Sequence, residues 1–65
     1  MSPGEAKTIT DAVQSAFQTR VGMMFNIMCD NAVSSSVEEA VTHFLRGLRV
    51  ARDCNIRASE EIKNL

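Results

Sequence analysis

Between Ile9 and Met28 apolar side chains return every three or four positions: Ile9, Val13, Phe17, Val21, Met24 and Met28, with Ala12, Ala16, Met23 and Ile27 beside them. At about 100° per residue this set covers roughly half of a helix circumference. Lys7, Asp11, Gln14, Ser15 and Gln18 fall on the other half. A second pattern begins at Val37 and steps alternately by four and three: Val41, Phe44, Leu48, Ala51, Asn55, Ala58, Ile62, Leu65. Ala40 and Leu45 widen this stripe, and Glu38, Thr42, Arg46, Arg49, Asp53, Arg57 and Glu60 lie opposite. A repeat of about 3.5 residues kept in one phase over about four heptads predicts left-handed, coiled-coil-like packing.

The punctuation between the patterns sets the elements. Ser2-Pro3-Gly4-Glu5 reads as a helix start, with Ser2 as N-cap, Pro3 in the first turn and Glu5 completing a capping box. Thr8 and Asp11 offer a second start further on. Asp30 to Ser36 interrupts the apolar period with short polar side chains that compete for backbone hydrogen bonds. Ser35 with Glu38 and Ser36 with Glu39 are alternative capping boxes for the next helix, whose paired acids also suit its dipole. The expectation is one all-α domain over residues 1–65: helix 1 over about 3–30, a serine-rich turn over about 31–35, and helix 2 over about 36–64. Composition agrees, because 65 residues carry only three Gly and one Pro, no Tyr and no Trp.

The width of the apolar arcs predicts assembly. Phe17, Val21, Met24 and Met28 lie to one side of helix 1, and Ile9, Ala12, Met23 and Ile27 to the other. A lone helical hairpin buries one flank and leaves the other in water, at roughly 25 cal/mol per Å² of apolar area. Pairing two hairpins into a dimeric four-helix bundle removes that exposure, and a two-fold dimer is the commonest symmetric solution. Packing on a different protein is the alternative. The expected interface residues are Phe17, Arg20, Met24, Met28, Phe44, Leu48 and Asn55. Arg20 interrupts the apolar face of helix 1, so its guanidinium needs a partner or a route to the bundle edge. Asn55 stands at a seam position, where a single Asn fixes register and oligomer state. Alternatively, Asn55 caps a third helix and makes a compact monomer. With the turn centred near residue 33 or 34, paired positions sum to about 67. Cys29 and Cys54 then lie about 24 Å apart along the axis, too far for a bridge within the hairpin.

Candidate chemistry is sparse. The formal net charge is −1, which gives no global attraction to nucleic acid. Locally, Arg46, Arg49, Arg52 and Arg57 form a basic patch on helix 2 that a two-fold dimer would present twice. At the level of fold alone this is similar to Rop-like RNA-binding bundles. Val50 to Ile62 has a weak helix-turn-helix flavour, contradicted by Asn55 at the turn and by Glu60 and Glu61 on the would-be recognition helix. His43 with Glu39 is a carboxylate–imidazole pair without further ligands. Met23, Met24 and Met28 suit either core filling or an adaptable binding groove. No phosphate loop, carboxylate pair or nucleophile beside a base is present, so neither enzyme nor cofactor nor metal is expected. No apolar run approaches the length of a membrane span. The N-terminus lacks the features of a signal peptide, and two cysteines are too few for a disulfide framework, so a cytoplasmic location is expected. The functional expectation is a small non-enzymatic adaptor or regulator that dimerises and binds a protein. A nucleic-acid-binding bundle using the basic face is the second possibility.

Overall fold

A computed structural model describes residues 2–65, and they form two α-helices packed antiparallel as a hairpin: α1 (Pro3–Ser34) and α2 (Val37–Lys63). Ser2 caps α1, its side chain accepting from the Glu5 N–H at 3.2 Å, with Pro3 in the first turn. The Thr8 hydroxyl donates to the Gly4 carbonyl inside the first turns, so helix formation begins at the earlier of the two starts.

The turn is shorter than the polar composition of 31–35 suggested. α1 continues past Asp30 for one more turn, and only Ser35 and Ser36 separate the helices. Two physical reasons account for this. No Gly or Pro interrupts the segment, and Ala32, one turn after Met28, is half-buried and extends the seam. The exit is closed by serines instead of a glycine: the Ser35 N–H and the Ser35 and Ser34 hydroxyls all converge on the Asn31 carbonyl, at 2.9, 2.8 and 3.3 Å. Of the two alternative caps on α2, Ser36 is used, accepting from the Glu39 N–H at 3.1 Å. α2 then runs unbroken through Asn55, so no third helix starts there.

The register follows from two cross-helix contacts. Gln14 meets Asn55, and a β-carbon placed on Gly47 would lie 2.7 Å from the Met24 methyl, so opposed positions sum to 69 and 71. The expected value near 67 is therefore low by about two to four, which is the helical turn added at Asn31–Ser34. Cys54 then lies opposite about residues 15 to 17 and stands about 18–21 Å from Cys29 along the axis. Both cysteines are free and exposed.

The seam is built from Val13, Phe17, Val21, Met24 and Met28 against Val41, Phe44, Leu48, Ala51, Asn55 and Ala58, all half-buried, with Ala40 and Ile62 buried. Val37 and Leu65, expected in the seam, stand 66% and 72% exposed because each lies at or beyond an end of α2. Leu45, expected to widen the stripe, is also exposed. The molecule measures 48 × 15 × 8 Å across its Cα atoms, a single layer of helix. Its radius of gyration is 15.1 Å, against about 11 Å for a compact chain of this length.

Candidate functional site

The seam uses only one arc of α1. Ile9, Ala12, Met23 and Ile27, one flank of the expected apolar face, are exposed, Met23 at 52% and Ile27 at 55%. Phe25 is exposed as well, although it lies about 180° round the helix from Ala16. It stands four residues after Val21 and three before Met28, but the apolar set that runs through Met24 passes it by, leaving it at the edge of the arc. Between Arg20 and Asp30 α1 has no charged residue at all. In that stretch α1 is apolar nearly all round, yet none of its residues is buried. A helix of this kind normally sits inside a larger structure.

On one broad side of the hairpin the two helices leave an open groove of about 720 Å³. From α1 it is walled by Val13, Ala16, Phe17, Arg20 and Met24, and from α2 by Gly47, Val50, Ala51, Cys54, Asn55 and Ala58. Small residues on α2 create it: Gly47 lets Met24 pass close, and Ala51, Cys54 and Ala58 add little volume. Arg20 is the only charged residue in its lining, and it is exposed. The flank residues extend this surface along α1, since Ile9, Met23 and Ile27 lie seven residues from Ala16 or Arg20, a rotation of about 20°.

The expected interface residues therefore divide. Phe17, Met24, Met28, Phe44, Leu48 and Asn55 are half-buried between the helices of one hairpin, and Arg20 stands at the groove. Asn55 has a partner within the chain. The Gln14 amide donates to its Oδ1 at 2.8 Å, the Asn55 amide donates back to Gln14 Oε1 at 3.3 Å, and Gln14 also reaches the Ser59 hydroxyl at 3.4 Å. The apolar pattern puts Gln14 on the polar half of helix 1. It lies at the border of the seam, where a long amide spans to the facing helix. The available signal was two polar residues at opposed seam positions, but reading it required the register.

Arg46, Arg49, Arg52 and Arg57 are all exposed on α2. Arg52 and Asp53 make the single ion pair among the described residues, at 3.7 Å and well exposed on both sides. A solvated pair of this kind contributes about 0–1 kcal/mol. His43 and Glu39 are likewise exposed. Among the described residues no three or more His, Cys, Asp or Glu side chains are grouped to hold a metal ion, and no helix is long and apolar enough to cross a membrane. The arrangement offers an apolar strip with a groove on one side, Arg20 in the groove's lining, and a charged edge along α2. No known protein family, curated protein or solved structure matches the chain.

Proposed function

We infer that the hairpin is half of a protein-interaction module: two copies pair into a four-helix bundle, and the bundle serves as a small non-enzymatic adaptor or regulator. The observation that carries this reading is α1, apolar nearly all round between Arg20 and Asp30 with no buried residue. Stable domains are built from at least two packed layers around a core, and this chain supplies one. The accessible surface gives the scale. The chain exposes 5049 Å², whereas a compact monomer of 7.1 kDa exposes about 4,100 Å². The excess, roughly 1,000 Å², is of the order of the 800 Å² or so that each partner contributes to a stable protein–protein interface. The shortage of polar groups converging on the groove favours a binding surface over catalysis, and two free thiols fit a cytoplasmic setting.

The exposed arginines of α2, Arg46, Arg49 and Arg57 along one edge and Arg52 on the adjoining broad side, support a second reading, a bundle that holds nucleic acid there. Mobility-shift titration of the full chain with RNA and duplex DNA across salt separates the two. The adaptor reading predicts no binding at physiological salt. Binding that falls steeply with salt, and weakens in Arg46→Ala and Arg49→Ala, would replace it with the nucleic-acid reading.

A further inference from the structure

The two broad sides of the hairpin differ in shape and in the length of their apolar surface, and the difference selects which one a second copy covers. On the groove side the walls from Val13, Ala16, Phe17, Val50 and Ala58 are apolar and Arg20 is the only charge in the lining. The apolar surface there continues past the groove along α1. A groove that opens into a strip along the helix fits another helix pair better than a small molecule. The opposite side has apolar residues too, but they are fewer: Phe25 on α1 with Leu45 opposite it on α2, and Ile56 further along α2. Charges flank both sides: on the groove side Arg57 lies seven residues from Val50 and Glu61 seven from Cys54, beyond the lining itself. On the opposite side, Lys7 lies about 180° round α1 from Ala16, and Asp11 about 180° from Arg20. On α2, Arg52 and Lys63 lie about 200° and 180° round from Cys54, and all four are exposed.

We propose that the groove side of the hairpin is the surface on which a second copy of this chain seats, its helices stacking over the groove as the second layer of the bundle. The proposal rests on the dimeric reading above and specifies its face. The interface is isologous, with each groove covered by the other hairpin, and the side carrying Phe25, Leu45, Ile56, Arg52 and Lys63 faces outward.

The chain contains its own reporters. Cys54 lines the groove, whereas Cys29, nine residues after Arg20, lies about 180° round α1 and outside it. Both thiols are exposed in the single hairpin. The test is the rate of reaction of each cysteine with a thiol reagent, read by mass spectrometry on the reduced full chain over a range of concentrations, with sedimentation run in parallel. Where nine-tenths of the chain is dimeric, Cys54 reacts about tenfold slower than in dilute solution, because only dissociated chains expose it. Cys29 keeps its dilute rate. Val50→Glu, at a position 63% exposed in the hairpin, keeps the helices and abolishes association, whereas Ile56→Glu leaves association intact. Association with Cys29 protected and Cys54 open, or association lost in Ile56→Glu but kept in Val50→Glu, would overturn the assignment of the face while leaving the dimer standing. A chain that stays single at every concentration would overturn the dimeric reading itself.

Discussion

Asn55 and Gln14 carry most of the specificity that one residue pair supplies in this hairpin. An apolar seam of Val, Leu, Met and Ala tolerates sliding by a turn, because one aliphatic contact substitutes for another at similar energy. A reciprocal amide pair does not slide, since each partner left behind is a part-buried polar group without its bond. Removing one partner costs about 1–2 kcal/mol, and replacing both with apolar groups costs much less. Urea unfolding of Asn55→Leu and Gln14→Leu is therefore expected to show a loss of about 1 kcal/mol each, with the double variant recovering most of it. Additive losses in the double variant would show that the two amides act independently. The sequence made Asn55 conspicuous through its seam position, but not Gln14, because the pairing depends on a register that the turn length sets. Arg20 was legible as an interruption of the apolar face. That it stands at a groove opened by Gly47, Ala51 and Ala58 of α2 needed the second helix in place.

At the scale of the element, the helices were readable because every local signal agreed: apolar spacing, scarcity of breakers and a serine at each start. The missed feature was where α1 ends. Asn, Ser and Asp favour turns only when the alternative is no better, and here Ala32 gains seam contact by remaining helical while Ser34 and Ser35 satisfy the Asn31 carbonyl. Two adjacent capping boxes could not be separated by sequence, since both place a serine three residues before a glutamate. The bond from the Glu39 N–H to Ser36 decides between them. An N-cap serine replaced by alanine costs about 1 kcal/mol. Ser36→Ala is accordingly expected to lower the stability of the hairpin by about that amount. Ser35→Ala, which removes a hydroxyl bond at an exposed α1 exit, should cost clearly less. Thermal melts of the two variants check this, and an equal or reversed order would place the start of α2 one residue earlier.

For the whole molecule, the dominant fact is that, among the described residues of a chain with many large apolar side chains, only Ala40 and Ile62 are buried. The physical consequence is a protein about one helix thick with a strip of Ile9, Met23, Ile27 and Val50 in water. The excess of apolar positions over what one hairpin can cover was visible in the sequence. Which of them face inward was visible only in part, because α1 lacks the polar stripe that would fix its rotation between residues 20 and 30. The central claim is that this strip is covered by another copy of the chain. Sedimentation equilibrium of the reduced full chain across the micromolar range, with circular dichroism at the same concentrations, tests it most directly. The account predicts a species of twice the chain mass that dissociates on dilution. A helical species of single-chain mass throughout that range would contradict it.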